Sequence, residues 1–267
     1  RMGTKFSTRI WVSVVGIASI FFGSKGYADT VISVADFGLK PDTRENAVAY
    51  VQKAIEACRG KEPVTLVFPE GRYDFWPQYA HEKNYYETNT YDVFPKRLAM
   101  LFEGLHNITV DGNGSQFVMH DRIQPITVEN CDGVTLKNFS IDWDIPLTAQ
   151  ARVTKVGSDF FEIEINVLES PYIIEDGKLV FVGEGWKSAL GSMIEFESDT
   201  HFVVPGTGDL VLGWNWGDYT AVSPRYGIVR LSRKGGFERY PAEGNWLVLR
   251  HSTRDHAGIF ICGSHDV

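Results

Sequence analysis

Asp142-Trp143-Asp144 carries the strongest chemical claim in this sequence. On a strand, residues two apart share a face, so Asp142 and Asp144 should point one way and Trp143 the other. Neighbouring carboxylates can hold sugar hydroxyls or shift one another's protonation. Arg254-Asp255-His256 is a second cluster. Arg and Asp together can grip vicinal hydroxyls, and His can donate or accept. Trp214-Asn215-Trp216 and Trp76 are a third kind of candidate, because aromatic rings give flat apolar platforms. Each has a plainer reading: a solvated strand end, a local ion pair beside a capping His, and barrel-core packing. Where they do act, Asp142, Trp143, Asp144, Arg254, Asp255 and His256 are read as substrate-binding rather than proton-transferring.

Other chemistry is absent from the pattern. His81, His106, His120, His201 and His251 are scattered, with no HxH, HExxH or Cys cluster. No metal site is therefore expected. No phosphate loop, dinucleotide fingerprint or GxSxG elbow occurs, and no cofactor is expected. Cys58, Cys131 and Cys262 are odd in number and widely spaced. They read as small buried hydrophobes, a disulfide being the lesser alternative.

The elements that position these residues follow from a register that occurs three times: Leu105-His106-Asn107-Ile108-Thr109-Val110, Cys131-Asp132-Gly133-Val134-Thr135-Leu136 and Ser264-His265-Asp266-Val267. With Ile108, Val134 and Val267 set equivalent, Phe102, Val128 and Ile261 also coincide. The first two copies lie 26 residues apart, which suits one coil of a parallel β-helix whose stacked strands bury an apolar ladder. The third follows 133 residues later, so a further unit is expected between the second and third coils. The register stops mid-strand at Val267, and further coils are expected after it.

Residues 1–28 read as a secretory signal. Arg1, Lys5 and Arg9 form a basic start, Ile10 to Phe22 an apolar core too short for a comfortable span, and Gly26-Tyr27-Ala28 a small-residue site with cleavage between Ala28 and Asp29. Its loss removes Arg1, Lys5, Arg9 and Lys25 and no acid, taking the net charge from −8 to −12. That leaves no electrostatic footprint for nucleic acid. The expected location is secreted or periplasmic, with no membrane attachment after cleavage.

In residues 29–145, Val31 to Val34 should start a strand. Asp42 and Glu45 have capping-box spacing before an amphipathic helix over 43–58, placed to cover the open end of the stack. Val64–Phe68 and Arg72–Phe75 read as strands, and residues 76–97 as a long aromatic loop. In residues 146–250, strands are expected at Gln150–Val156, Phe160–Ile165, Lys178–Val182, Met193–Glu197, Ile228–Leu231 and Trp246–Leu249, with turns at Gly157-Ser158-Asp159 and Glu175-Asp176-Gly177. Residues 251–267 rejoin the coil. The fold class is all-β: a right-handed parallel β-helix with a short N-terminal capping helix and an inserted small antiparallel β-barrel, truncated at the C-terminus.

Asp36-Phe37-Gly38, the helix, and Val67-Phe68-Pro69-Glu70-Gly71-Arg72-Tyr73 resemble the N-terminal module of pectin-lyase-like β-helix proteins. With Tyr73-Asp74-Phe75-Trp76, Ile141-Asp142-Trp143-Asp144-Ile145-Pro146 and an insertion at that point, the chain is similar to glycoside hydrolase family 110, the exo-α-1,3-galactosidases. The resemblance implies a metal-free, inverting hydrolase acting on glycans or glycoconjugates that end in α-1,3-linked galactose, as in blood-group-B-type structures. Such a mechanism uses two carboxyls roughly 6.5–9.5 Å apart. The family pattern puts these on coils beyond Val267, so no catalytic residue is assigned and the 267 residues alone are expected to be inactive and poorly soluble. The inserted barrel would form either a homodimer surface or a wall of the substrate cleft. Two alternatives stay open: another β-helix carbohydrate enzyme, such as a polysaccharide lyase or polygalacturonase, and a non-catalytic glycan-binding β-helix.

Overall fold

The computed structural model describes residues 30–87, 95–207, 219–250 and 256–267. The signal-like segment 1–28 with its Ala28–Asp29 junction, Trp214-Asn215-Trp216, Arg254 and Asp255 lie outside the described residues.

The chain is mostly β. In order it forms β1 (Thr30–Ser33), a 3-10 turn (Val34–Phe37), α1 (Val48–Cys58), β2 (Val64–Val67), β3 (Arg72–Phe75), β4 (His81–Lys83), β5 (Lys96–Glu103), β6 (His106–Met119), β7 (Gln124–Glu129) and β8 (Asp132–Trp143). A second run follows: β9 (Ala149–Val156), β10 (Phe160–Ile165), β11 (Tyr172–Glu175), β12 (Lys178–Gly183), β13 (Trp186–Ala189), β14 (Ser192–Phe196), β15 (Tyr219–Arg225), β16 (Ile228–Arg233) and β17 (Trp246–Arg250). The last strand is β18 (Ile259–Cys262).

Two sheets share the first run, and the chain alternates between them. β1, β2, β6 and β8 pair in parallel, with β3 parallel to the later part of β6. β5, β7 and β18 also pair in parallel, and β4 closes that sheet antiparallel to β5. The register read from the sequence is the observed one. Phe102 pairs with Val128 and Val128 with Ile261, while Ile108 pairs with Val134. Phe102, Val128, Ile108 and Val134 are buried, each contributing roughly 1.5–3 kcal/mol of apolar burial. Ile261 and Val267 are exposed.

The corners of this stack explain the polar residues of the repeat. Gly104, Asn130 and Gly263 are equivalent and all have positive φ, as do Asn107, Gly133 and Asp266. The side chains also interlock. A Cβ on Gly133 would lie 2.7 Å from Asn107 Oδ1, and one on Gly263 would lie 2.3 Å from Asn130 Oδ1. An Asn in one turn therefore occupies the space that glycine leaves in the next. Cys131 belongs to the same corner: the Leu105 amide donates to its sulfur, and its own amide donates to Ser264 Oγ.

Several local expectations are corrected. The helix begins at Val48, not residue 43, and its Ala47 cap makes no side-chain hydrogen bond. Asp42 has φ 61° and accepts from the Arg72 amide, so it serves the neighbouring strand rather than a capping box. Asn46 Oδ1 accepts from the Val48 and Trp76 amides and ties the helix start to the strand stack. The capping box that does form joins Ser33 and Asp36 on the 3-10 turn. Residues 76–97 are not simply a loop, because β4 lies within them. The three cysteines are free; Cys58 and Cys131 are buried and Cys262 is half-buried.

The second run is antiparallel. One sheet has the order β14-β17-β9-β10-β16-β15, and a smaller one is β11-β12-β13. All six expected strands are present within a residue or two. β11, β13 and β15 were not expected. β15 contains Pro224, which removes a ladder donor, and it lies at the sheet edge with a register shift between Val222 and Arg225. A core including Val153, Phe161, Ile163, Phe181, Leu231 and Leu249 fills this unit, separate from the core of the strand stack.

Candidate functional site

The register that stacks β3, β6 and β8 also stacks the residues just beyond them. Phe75 pairs with Met119, and Met119 with Trp143. One residue on, the His120 amide donates to the Phe75 carbonyl and the Asp144 amide to that of Met119. Trp76, His120 and Asp144 thus occupy one level of three successive turns. The indole of Trp76 stacks on His120, with centroids 3.7 Å apart and planes inclined by 13°.

Asp74, on β3 two residues before Trp76, is the hub of the ion network beside this level. It is 1% exposed and receives the Arg72 guanidinium on both oxygens, at 2.6–3.1 Å. His120 Nε2 lies 2.8 Å from Asp74 Oδ1. Arg72 Nη2 also donates to Asp144 Oδ1 at 2.7 Å, and Arg44 Nη1 approaches Asp144 and Asp74 at 3.5 and 3.8 Å. Burial alone would raise Asp74, but the hydrogen bonds from Arg72 and His120 outweigh it and hold the carboxyl below its ordinary range. Asp144 is held low chiefly by the Arg72 hydrogen bond. Arg72 is pushed up, mainly by Asp74.

Asp74, His120 and Asp144 place three potential ligand atoms within 4.8 Å of one another. Arg72 Nη2 bonds both carboxylates, so a guanidinium provides the cationic centre of this cluster and a metal ion would have to compete with it. On His120's other side, Nδ1 lies 2.6 Å from Glu184 Oε2, in the turn between β12 and β13. The cluster therefore reaches from the strand stack to the antiparallel unit.

Beside it is a pocket of about 280 Å³ lined by Arg72, Gln116, Ser140, Asp142, Trp143 and Asp144 among others. Asp142 is exposed and accepts from the Trp143 amide. Trp143 turns inward and packs on the strand-stack core. Asp142 and Asp144 thus line one pocket but differ in state: Asp144 is bound to Arg72, and Asp142 is open to the pocket. Such a wall can take hydrogen bonds from hydroxyl groups on Asp142, Ser140 and Gln116.

Of the second sequence cluster, His256 is described. It is half-buried, and burial, aided by the positive charges of Lys96 and Arg122, pushes its imidazole down to about 3. The charged groups that act on it are these two cations, not Asp142 or Asp144. Sequence reasoning missed Arg72, Asp74, His120 and Glu184. A signal existed for three of them. Arg72 and Asp74 are two apart on one strand, and aligning Tyr73-Asp74-Phe75-Trp76 with Phe117-Val118-Met119-His120 and Ile141-Asp142-Trp143-Asp144 puts His120 in the same column. Glu184 gives no such signal.

A family model described as GLAA-B beta-barrel domain I matches residues 149–247. The chain is 58% identical over 241 residues to Alpha-1,3-galactosidase B of Bacteroides thetaiotaomicron, covering 90% of this chain and 39% of that protein. It is 34% identical over 247 residues to Alpha-1,3-galactosidase A of Bacteroides fragilis, with 90% and 39% covered. Against Alpha-1,3-galactosidase B of Akkermansia muciniphila it is 30% identical over 241 residues, with 89% and 29% covered. The chain spans about two fifths or less of the length of these curated relatives. Over nine-tenths of its length the chain is thus similar to proteins named alpha-1,3-galactosidase, and residues 149–247 are similar to GLAA-B beta-barrel domain I.

Proposed function

We propose that this chain forms part of a secreted or periplasmic glycoside hydrolase that removes terminal α-1,3-linked galactose from glycans. The observation that carries this reading is the 58% identity, over 90% of the chain, to a protein named Alpha-1,3-galactosidase B. In this reading the two alternating sheets are coils of a right-handed parallel β-helix, residues 146–250 are an inserted barrel, and residues 251–267 re-enter the helix. The parallel pairing of β5, β7 and β18 across that insertion supports it.

The reaction is hydrolysis with inversion. A carboxylate takes a proton from water as the water oxygen bonds to the anomeric carbon from one face. A carboxylic acid on the other face gives its proton to the departing glycosidic oxygen. The residues described here take a binding part. Asp142 and Asp144, with Arg72 fixing the latter, form one wall of the sugar site, and the barrel stands beside it. The 267 residues alone are expected to release no galactose.

A linkage panel tests the reading. The full-length protein is incubated with galactosides linked α-1,3, α-1,4 and α-1,6, and free galactose is measured. Release from the α-1,3 compound at least about a hundredfold faster than from the others is expected, a margin of roughly 2.7 kcal/mol in the transition state. Unsaturated products from polyuronates, or glycan binding with no hydrolysis, would replace it with one of the other β-helix functions.

A further inference from the structure

The outer face of the antiparallel unit carries an aromatic pocket, and strand alternation builds it. In β14, Met193 and Glu195 are buried, so Ile194 and Phe196 face outward. In β17, Leu247 and Leu249 are buried, which puts Trp246 and Val248 on the outer side. In β9, Ala149 and Ala151 are buried and Gln150 faces out. The antiparallel register sets Phe196 opposite Trp246 and Val248 opposite Gln150, so the four share one patch.

After β14 the chain doubles back beside this patch. Phe196 bridges to Val203, the Glu197 amide donates to the Phe202 carbonyl, and the Val204 amide donates to that of Glu195. The turn is fixed from within: Thr200 Oγ1 donates to Glu197 Oε2 at 2.7 Å, and the Ser198 amide donates to Asn245 Oδ1 at 3.2 Å. His201, at φ 56°, is carried by this turn to the patch. The result is a cavity of about 480 Å³ lined by Gln150, Phe196, His201, Trp246 and Val248. That volume lies within the range of small-molecule sites. None of these residues lines the pocket at Asp142.

The lining selects the occupant. It contains no carboxylate, lysine or arginine, and Arg152, the partner of Trp246 on β9, does not line it. A charged ligand would therefore find no counter-ion there. Phe196 and Trp246 offer flat apolar surface, and Trp246 is 37% exposed. The Gln150 amide, the His201 imidazole and the Trp246 indole N–H make no hydrogen bond to other described residues. Donors and acceptors thus stand free beside an aromatic wall. An uncharged molecule with an apolar face edged by hydroxyl groups matches this arrangement, and a sugar ring is such a molecule. We infer that this pocket is a second carbohydrate-binding site, seating a neutral hexose unit on Trp246 with Gln150 and His201 bonded to its hydroxyls. It holds a glycan without cleaving it, so it does not depend on the proposed hydrolysis.

The test is direct binding by the full-length protein. Lactose, N-acetyllactosamine, cellobiose and maltose carry no α-1,3-linked galactose, so none is a substrate in the reading above. Each is titrated and followed by saturation-transfer NMR and calorimetry. At least one should bind with a Kd of about 1 mM or tighter. Trp246→Ala should weaken that sugar at least about tenfold, whereas Trp246→Phe keeps a ring and should stay within about threefold. Gln150 is exposed, so Gln150→Ala should keep the fold, and it should weaken the sugar about threefold or more. No binding of any of these sugars at about 10 mM overturns the site. A Kd unchanged in both Trp246→Ala and Gln150→Ala does the same. Binding lost in Asp142→Asn but kept in Trp246→Ala would put the sugar in the other pocket. A wild type that binds no sugar and self-associates, with Trp246→Ala sedimenting as a monomer, would give the face to a second copy of the chain. Hydrolysis can fail in the linkage panel while this binding persists, and the reverse, so the two readings fall separately.

Discussion

Arg72 and Asp144 lie on different turns of the strand stack, yet the guanidinium of one donates to the carboxylate of the other at 2.7 Å. The same nitrogen bonds buried Asp74 at 2.6 Å. One arginine thus neutralises a buried acid and fixes an exposed one at the rim of the pocket that Asp142 shares.

Asp74→Asn should destabilise the strand stack by about 3–5 kcal/mol, the usual effect of breaking a buried ion pair. The pH dependence has a definite sign. The folded-state pKa of Asp74 is depressed, so its stabilisation is fully present above the unfolded value of about 3.9 and is lost as the pH falls through the lower folded value. Urea midpoints followed from about pH 6 down to about pH 2.5 should show this loss in the wild type and a smaller one in Asp74→Asn.

At the corner of the stack, Gly133→Ala should cost about 1–2 kcal/mol, from φ 67° and a Cβ 2.7 Å from Asn107 Oδ1. Asn107→Gly removes the obstructing oxygen. The two changes together should therefore cost less than their sum, by at least about 0.5 kcal/mol in a thermal double-mutant cycle. Strict additivity would show that the interlock carries no energy.

Glu195 is the corresponding anchor inside the barrel. It is 1% exposed and accepts from the Ala242 amide at 2.8 Å, Asn245 Nδ2 at 2.7 Å and Arg239 at 3.2 Å. Glu195→Ala leaves three donors unmatched and should destabilise the barrel by about 3 kcal/mol. Faster amide exchange across 239–245 should accompany it, with β5 and β7 unaffected.

Asp142 is the open carboxylate of the pocket. If the proposed hydrolysis holds, Asp142→Asn in the full-length protein should raise KM for an α-1,3-galactoside about tenfold with little change in kcat, the pattern of a lost binding contact. A large fall in kcat at constant KM would instead give Asp142 a part in the chemical step.

The stacking of the strands was legible because three short segments repeat with matching apolar positions, and backbone pairing converts that spacing directly into contact. The barrel strands were legible where alternation is strong, as in Phe161-Glu162-Ile163-Glu164-Ile165. Tyr172–Glu175 and Trp186–Ala189 lack that alternation, and Pro224 interrupts the third missed strand. The helix start was misplaced because Asp42 has a nearer partner, the Arg72 amide brought in by the fold. Asp142 and Asp144 were found as a local pair. Their difference in state depends on Arg72, 72 residues from Asp144 in sequence. His120 was passed over as one scattered histidine, since Glu184 is 64 residues away and joins it only when barrel and stack meet.

The most direct measurement of the central claim is a proton NMR time course of the full-length protein acting on an α-1,3-galactosyl disaccharide. The account predicts that β-galactose is released first, with the α-anomer growing in only by mutarotation. Initial release of α-galactose would contradict inversion, and no release of galactose would contradict the hydrolase itself.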